Sequence, residues 1–461
     1  MPHRSLKCLL IASAALLCLS GPFPAATASA AEPRPNILII TADNLGYGDL
    51  PCFRPESPIK APNFDRLARG GARLTHFYTP SSTCTVSRAC LLTGRIPQRH
   101  GLQIQLPGLE GNYGTGLRTS EVLIPQVLKP AGYATGCFGK WNIGFAKGSR
   151  PTERGFDEFL GHASGNIDYY SHIYNGKHDL FDGVEEAHLK GYSTDLFADA
   201  ASDFMVRNSE RPWFCYLPFN APHFPNQRNK ASGQENIWQA PVEAFEAYGY
   251  DPATRDPQQR YHAVVTALDT ALGRVLGTLD DLKLTDRTFV FFYSDNGAFM
   301  LKDRGLEVSS NAPLRDGGVT CWEGGIRVAA IARWPGHIEP GRVINEPLWS
   351  PDLMIASSKL AGATLPLDRK LDGHDPLPVL TSAAKSPNRS LYFTYASHAA
   401  LRFGDWKIVR TKPTNNWQLF NLASDPGELT DLATMQPDQL ARLTTEFDRW
   451  AESATKQSTH Q

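Results

Sequence analysis

The sequence has no excess of charge of either sign and few cysteines, and both shortages exclude classes of protein. Its 461 residues include 46 lysines and arginines against 47 aspartates and glutamates, a formal net charge of -1. A chain so evenly charged has no general attraction for nucleic acid or for an anionic membrane surface. Eight cysteines are too few to build a disulfide framework in a chain of this length. The fold must therefore depend on a hydrophobic core.

Long hydrophobic runs are also missing beyond the first thirty residues. The chain opens with basic residues up to Lys7, continues through an apolar stretch at 8–19, and reaches the small-residue sequence Ala28-Ser29-Ala30. This order is typical of a secretory signal peptide. We predict that residues 1–30 are cleaved, that the mature protein is periplasmic or secreted, and that it has no membrane span. Two of the eight cysteines lie in the predicted signal.

Two apolar runs have the composition of strands that are buried on both faces. Residues 36–42 (NILIITA) and 288–294 (TFVFFYS) show no polar alternation, which indicates parallel strands covered by helices. Each run ends in Asp-Asn, at Asp43 and at Asp295. Ligands of open α/β sheets collect beyond the carboxyl ends of strands, so the two pairs could meet there. Either pair alone also fits an ordinary turn at a strand end.

Helical patterns lie between these strands and favour an α/β fold. The patterns predict helices opening at Pro62, at Thr119 and at Tyr261, the last continuing to Leu282. Residues 226–257 are polar and without periodicity, and we interpret them as a loop or insertion. After residue 373 short strand-like runs and a helical segment, 438–454, predict a small antiparallel sheet with a helix.

A cysteine near the start of one predicted helix stands four residues before an arginine. Residues 84–95 read CTVSRACLLTGR, which looks like a loop entering a helix with Cys84 and Arg88 on one face. A nucleophile beside a guanidinium suits chemistry on an anionic ester. The spacing alone favours a buried structural cysteine with a surface arginine.

These residues resemble the type I sulfatase signature, Cys-x-Pro-Ser-Arg followed by x-x-x-Leu-x-Thr-Gly-Arg. The resemblance covers nearly the whole mature chain. Its further blocks, in order, are 35–49 (PNILIITADNLGYGD), 132–141 (GYATGCFGKW), 220–223 (NAPH), 294–297 (SDNG) and 323–328 (EGGIRV). It implies an alkaline-phosphatase-like sandwich with a large mixed sheet between helices. Residues 31–373 would be the catalytic domain and 374–461 the C-terminal subdomain.

The resemblance also implies a set of site residues. Cys84 would be oxidised by a separate formylglycine-generating enzyme to formylglycine, the nucleophile. A calcium ion would be held by Asp43, Asn44, Cys84, Asp295 and Asn296, oxygen ligands of the kind that Ca²⁺ takes. Arg88 would bind the modified residue and the anionic charge, Lys140 a sulfate oxygen and the leaving group. His223 would protonate the departing alcohol.

Four positions depart from the family pattern. Val86 replaces the usual proline of the modification motif, and Asn44 replaces a second aspartate. Asn142 stands where the family has a histidine base, and Gly318 where it has a second lysine. The site is thus expected to carry less charge than its relatives. Either His162 or His172 could take over proton transfer, and we count Asn142 and His172 as weaker substrate-binding residues.

We therefore predict a sulfuric-ester hydrolase that releases sulfate from a sulfated carbohydrate. One alternative is a glycan-binding pseudo-sulfatase with little turnover. Another is a phosphonate or phosphodiester hydrolase of the same superfamily. Retention of Cys84, Arg88, Lys140 and His223 favours the enzyme, because buried charges are costly without a task.

Overall fold

The computed structural model of the chain describes residues 34–106, 116–300, 304–305 and 307–458, together with Met1. Arg34–Gln461 form one compact unit. The predicted signal peptide, apart from Met1, lies outside the described residues, and the predicted boundary after residue 373 stays a prediction. No helix within the described ranges is long and apolar enough to cross a membrane.

The regular elements alternate along the chain for most of its length. The strands are β1 Asn36–Ala42, β2 Ala72–Tyr78, β3 Ala134–Lys140, β4 Glu158–His162, β5 Ile173–Tyr174, β6 Lys177–His178, β7 Phe181–Asp182, β8 Glu185–Glu186, β9 Trp213–Pro218, β10 Thr288–Ser294, β11 Arg327–Arg333, β12 Arg342–Ile344, β13 Leu348–Trp349, β14 Ser390–Tyr395, β15 His398–Phe403, β16 Trp406–Arg410 and β17 Gln418–Asn421. The helices are α1 Pro62–Arg69, α2 Cys84–Thr93, α3 Pro97–His100, α4 Ile124–Leu128, α5 Ser193–Arg207, α6 Val242–Glu246, α7 Pro257–Asp281, α8 Glu323–Ile326, α9 Asp352–Ala361, α10 Leu377–Ser382 and α11 Pro437–Ser458.

The large sheet is mixed, as predicted. Its strand order is β12-β2-β11-β10-β1-β9-β3-β4-β7-β8, with β13 also pairing with β2. The five central strands β10, β1, β9, β3 and β4 run parallel to one another, while β11 is antiparallel to both β10 and β2 and β7 is antiparallel to β4. Both faces of these central parallel strands must be buried.

Both faces of β1 are covered, which explains its continuous apolar sequence. Leu38 and Ile40 belong to one core cluster with Leu268 of α7, whereas Ile37 and Ile39 belong to another with Leu91 of α2. All seven residues of β1 and all seven of β10 are buried. The predicted bounds of these two strands and the sandwich of helices around them are confirmed.

The helices agree with their sequence patterns except at two starts. α7 begins earlier than predicted because the Asp256 carboxylate caps it, accepting from the backbone N–H of Gln258 at 2.8 Å. The predicted start at Thr119 was wrong, since residues 119–120 form a turn and α4 begins at Ile124. Pro125 lies in its first turn, where a proline is tolerated.

The C-terminal strands form a separate four-stranded antiparallel sheet, as predicted. One face packs on the large sheet through a cluster that includes Phe393, Tyr78 and Trp349. The other face is covered by α11 through Leu443 and Phe447. The small sheet thus bridges the catalytic sheet and the last helix.

Candidate functional site

Strand register brings the two Asp-Asn pairs together at one edge of the sheet. β1 and β10 are in parallel register with Ala42 beside Ser294, so each aspartate follows at the same level. The backbone N–H of Asn44 donates to Asp295 Oδ1 at 3.3 Å. About 250 residues of sequence therefore separate groups that are neighbours in space, which is what the sequence pattern predicted.

Cys84 is the first residue of α2 and lies directly over this edge. Its backbone follows the extended Thr83, and the helix ends at Gly94, whose φ of 67° is left-handed. A ligand atom from each of Asp43, Cys84 and Asp295 lies within 4.8 Å of the others. The side chain is held from two sides, since Sγ donates to Gln105 Oε1 at 3.4 Å and Asn142 Nδ2 lies 3.6 Å from Sγ.

The thiol of Cys84 is a poor nucleophile as it stands. Burial raises its pKa above the ordinary value; Lys140 and Arg88 lower the pKa while Asp43 and Asp295 raise it, and the net shift is upward. A reactive catalytic cysteine needs the opposite shift, because the thiolate is the attacking form. The site therefore suits a cysteine that is chemically converted before use, rather than thiolate catalysis.

Two buried ion pairs surround Cys84. Arg88 Nη2 lies 2.6 Å from Asp295 Oδ2, and Lys140 Nζ lies 2.6 Å from Asp43 Oδ2, with all four side chains fully buried. Burial raises the pKa of both aspartates, although the neighbouring cations oppose the shift. Two cations thus offset two carboxylates, and the site as it stands has little net charge.

Two amides complete this edge, and their arrangement leaves oxygen atoms free. Asn296 Nδ2 donates to Asn44 Oδ1 at 2.6 Å. Asn44 has a φ of 64°, a left-handed conformation that asparagine adopts more readily than most residues. Within the described part of the chain, Asp43 Oδ1 and Asn296 Oδ1 are buried without a hydrogen-bond partner. Unpartnered buried oxygens beside two carboxylates fit a hard divalent cation.

His223 stands at the rim of this group. Its Nδ1 lies 2.9 Å from Asn166 Nδ2 and 2.9 Å from the Phe224 carbonyl oxygen, contacts that fix the ring. Burial lowers the pKa of His223 to about 3, with Lys140 contributing in the same direction. The ring is neutral before an anion arrives, and a bound sulfate ester would favour its protonation.

The two histidines considered as substitutes for a base occupy different settings. His162 pairs with Lys140 in the β3–β4 register and is fully buried, and neither ring nitrogen has a hydrogen-bond partner among the described residues. Burial lowers its pKa well below the usual value. His172 has a φ of 55°, and its Nε2 lies 3.2 Å from the Gly191 carbonyl oxygen. Neither ring is bonded to Cys84 in the described structure.

The position where a lysine was expected is closely packed and holds a larger side chain only if its neighbours move. Gly318 donates its N–H to the Ala298 carbonyl at 2.9 Å, and a Cβ there would lie 2.8 Å from the Phe299 ring. A Cβ contact under 3.0 Å forces a neighbour to move. The absence of a second lysine is therefore built into the local packing.

Sequence reasoning missed Gln105, Asn166 and Tyr216. The Tyr216 hydroxyl lies 3.5 Å from Arg88 Nη1, and Gln105 contacts both Cys84 and the N–H of Thr85. Nothing in the surrounding sequence distinguishes Gln105. Asn166 lies between His162 and His172, the two histidines considered as substitutes for a base. Its amide side chain was a usable signal at that place in the sequence.

Comparison with known proteins agrees with this geometry. The sulfatase family model matches residues 35–363. N-acetylgalactosamine-6-sulfatase of Sus scrofa is 34% identical over 441 residues, covering 91% of this chain and 78% of that protein. Arylsulfatase A of Homo sapiens is 36% identical over 446 residues, covering 87% and 77%.

Solved structures agree with the fold as well. The crystal structure of Ps i-CgsB in complex with k-i-k-neocarrahexaose superposes with a TM-score of 0.82 at 28% identity, covering 90% of this chain and 92% of that one. The edge that carries Cys84, the paired aspartates and two buried cations thus lies within a chain that matches sulfatases over most of its length. The chain belongs to the sulfatase family and is a sulfuric-ester hydrolase.

Proposed function

We propose that this sulfatase releases sulfate from a sulfated carbohydrate, with a formylglycine made from Cys84 as its nucleophile. The observation that carries the proposal is the setting of Cys84. Its thiol is buried between Asp43 and Asp295, and its pKa is raised although two cations lie nearby. With the two aspartates it forms a group of side chains that could hold a metal ion. A site so well prepared for an anionic ester needs a better nucleophile than this thiol.

A calcium ion fits the same edge of the sheet. Asp43, Asn44, Asp295 and Asn296 would hold it together with the modified side chain at position 84. When bound, calcium would polarise a sulfate oxygen and offset negative charge. With Asn44 in place of a second aspartate, the site offers two carboxylates rather than three, so we expect weaker binding than a fully acidic site gives.

The protein side chains divide the remaining roles by position. Arg88 on α2 and Lys140 at the end of β3 stabilise the anionic ester. His223 donates a proton to the leaving oxygen. Asn142 contacts Sγ of Cys84 and can orient the nucleophile, but an amide cannot act as a base. His172 remains a weaker candidate for substrate contact.

A cavity beside His223 supports a carbohydrate as substrate. A cavity of about 590 Å³ begins at Phe224, whose ring is 4.2 Å from that of His223. Arg255, Arg260 and Arg304 line it. Arg255 pairs with Glu235 and the Arg260 guanidinium donates to three backbone carbonyls, whereas Arg304 is exposed. One relative is N-acetylgalactosamine-6-sulfatase, and one similar crystal structure is a complex with k-i-k-neocarrahexaose. Guanidinium groups suit sulfate and carboxylate recognition.

The decisive experiment is mass spectrometry of the tryptic peptide that contains Cys84, from protein produced in its native host. The expected result is a substantial fraction with formylglycine at position 84, installed by a formylglycine-generating enzyme despite Val86. A Cys84→Ala protein provides the unmodified control and should release no sulfate. Unmodified cysteine in every copy would exclude the mechanism.

The pseudo-sulfatase alternative rests on Asn142, which replaces a base, and on Val86 in the modification motif. It predicts tight binding of sulfated oligosaccharides with no release of sulfate, which calorimetry and a sulfate assay on one preparation separate. Matched aryl sulfate and phosphodiester substrates test the second alternative. A larger kcat/KM for the phosphodiester than for the aryl sulfate would favour phosphodiester hydrolysis over sulfate-ester hydrolysis.

Export through the predicted signal peptide belongs to the same proposal. A carbohydrate polymer is met outside the cytoplasm, and the small-residue sequence at residues 28–30 suits cleavage. N-terminal sequencing of the mature protein should begin at Ala31. An intact Met1 on the mature protein would contradict it.

A further inference from the structure

A second group of metal-ligating side chains lies away from Cys84, on two short hairpins. It consists of His178 on β6, Glu186 on β8 and His188 just beyond β8. A ligand atom from each lies within 4.8 Å of those of the other two. Nothing in the catalytic proposal uses these three residues.

The backbone and two side-chain contacts hold this group in place. His178 pairs with Ile173 in the β5–β6 hairpin, and Glu186 pairs with Phe181 in the β7–β8 hairpin. His178 Nε2 donates to the Ala187 carbonyl oxygen at 2.8 Å, which orients the ring and leaves the lone pair on Nδ1. A backbone carbonyl on one ring nitrogen is the usual support of a metal-bound histidine.

The spacing of the side chains suits a small tetrahedral ion. His188 Nε2 lies 3.4 Å from Glu186 Oε1, and the imidazole rings of His178 and His188 are stacked with centroids 4.6 Å apart. Ligand atoms about 2.0–2.1 Å from a tetrahedral zinc are roughly 3.3–3.4 Å from one another. The first pair already has this separation. The His178 ligand atom lies within 4.8 Å of both partners, and one of the two stacked rings must turn so that both ring lone pairs point at one ion.

The donor set selects a different metal from the catalytic edge. Two imidazoles and one carboxylate suit Zn²⁺ and similar transition metals, whereas Ca²⁺ prefers an all-oxygen set. The His188 and Glu186 side chains are 74% and 48% exposed, so solvent can supply a fourth ligand. We propose that His178, Glu186 and His188 bind a zinc-type divalent cation that links the two hairpins.

Such an ion would stiffen the chain next to the catalytic residues. The ring of His172 lies edge-on to His178, with centroids 6.1 Å apart. Asp179, the residue after His178, accepts from the backbone N–H groups of Ala163 and Ser164 at 3.2 and 3.1 Å. The same segment continues to Asn166, which contacts His223. The cation would therefore stabilise the position of residues 163–179 beside His223.

The test is calorimetric titration with ZnCl₂ in excess Ca²⁺, using Cys84→Ala protein so that the thiol group cannot take up zinc. We expect one zinc per chain with micromolar affinity and a rise in Tm. Adding His188→Ala, an exposed change that should not affect folding, should weaken binding at least 100-fold and abolish the rise. Adding His178→Ala should do the same.

Glu185→Gln is the matched control, because Glu185 is exposed on the same strand but outside the group, and it should bind zinc like the parent. An anomalous signal at the zinc edge between His178 and His188 would add direct support. Equal zinc affinity in the parent and the His188→Ala protein would overturn the proposal. So would no zinc binding by the parent at 100 μM.

Discussion

At the scale of single residues, the contacts of His223 indicate how its role can be separated from simple packing. The ring is fixed by Asn166 and by the Phe224 carbonyl, and it lies at the rim of the edge that carries Cys84. A residue that protonates the leaving alcohol matters most when that alcohol is a poor leaving group.

We predict that His223→Ala lowers kcat by 10²–10⁴-fold on an alkyl or sugar sulfate. The loss should be much smaller on p-nitrophenyl sulfate, whose leaving group needs no proton. Steady-state kinetics on both substrates provide the measurement. His337→Ala, on an exposed histidine that stacks on Trp334, is the control and should leave both rates unchanged. An equal loss on both substrates would contradict the role of proton donor.

A second histidine should make the stability of the protein depend on pH. His100 is fully buried, accepts from the Leu102 N–H at Nδ1, and has Nε2 3.3 Å from Cys90 Sγ. Burial lowers the pKa of His100 to about 3. The unfolded chain takes up a proton below about pH 6.5, while the folded chain does not. Stability is therefore lost as pH falls from 6.5 towards 3.

We predict that this histidine costs about 2 kcal/mol of stability between pH 8 and pH 5, at about 1.4 kcal/mol per pH unit below 6.5. Urea unfolding at both pH values checks it. The His100→Gln protein should lose less stability than wild type over that interval by about this amount, whatever its stability at pH 8. The exposed exchange His337→Gln should leave the wild-type difference intact. An identical pH difference in wild type and His100→Gln would refute the prediction.

Site residues could be predicted from the sequence where the residue type itself carries the chemistry. They could not be predicted where a residue contributes only through its contacts. Asp43 and Asp295 were found because two buried strands ended in the same dipeptide. Cys84 was found because its neighbours matched a motif. Gln105 reaches Cys84 from a stretch without a pattern, so only the folded chain reveals the contact. Side chains that hold others in place carry no signature of their own.

At the scale of elements, helix α7 contains two glycines with opposite surroundings. A Cβ at Gly273 would lie 2.6 Å from Asn63 Nδ2 at the start of α1, whereas a Cβ at Gly277 would meet nothing within 4 Å. Asn63 also donates to Asp269 of α7, so this crossing of two helices is closely packed. The two positions differ by one helical turn and form a matched pair.

We predict that Gly277→Ala stabilises the protein by about 0.5–1 kcal/mol, since alanine removes the entropy that glycine costs in a helix. Gly273→Ala should instead destabilise it by about 1–3 kcal/mol, the usual cost of overpacking. Thermal unfolding of both variants beside wild type measures the difference. Equal shifts of Tm in the two would show that the close packing of α1 on α7 is not as described.

Element bounds could be predicted best where burial dictates composition. β1 and β10 were predicted residue for residue, because strands buried on both faces admit little but apolar side chains. The start of α4 was missed because Thr119 and Ser120 resemble an N-terminal cap. The actual start is capped by Gln126, whose side-chain oxygen accepts from the Leu123 N–H at 2.9 Å. The two-residue strands that carry the proposed zinc ligands are too short for any pattern.

At the scale of the whole molecule, buried charges join the small sheet to the catalytic sheet. Lys407 on β16 lies 3.0 Å from Glu323 at the start of α8 and 2.7 Å from Glu428, with all three side chains fully buried. The cations around Glu323, above all Lys407, outweigh burial and lower its pKa to about 2. Breaking a buried pair on one side leaves an uncompensated charge.

We predict that Lys407→Met destabilises the protein by about 3–5 kcal/mol, because Glu428 then loses its cation and Glu323 retains the more distant Arg327, at 3.5 Å. Lys412→Met, on an exposed lysine of the neighbouring turn, should change stability by less than about 0.5 kcal/mol. Urea unfolding gives both values. A loss of under about 1 kcal/mol for Lys407→Met would mean that the sheets are joined mainly by their apolar contact.

The burial of Cys84 has a consequence for the timing of maturation. Its side chain is only 4% exposed, and the edge around it closes when β10 pairs with β1. The proposed formylglycine-generating enzyme would therefore have to act on the thiol before that pairing. Roughly 200 residues separate Cys84 from the end of β10, which a ribosome adds in about 10–40 s at 5–20 residues per second. Conversion thus competes with chain growth, and slower translation of that stretch should raise the fraction of active molecules rather than their turnover.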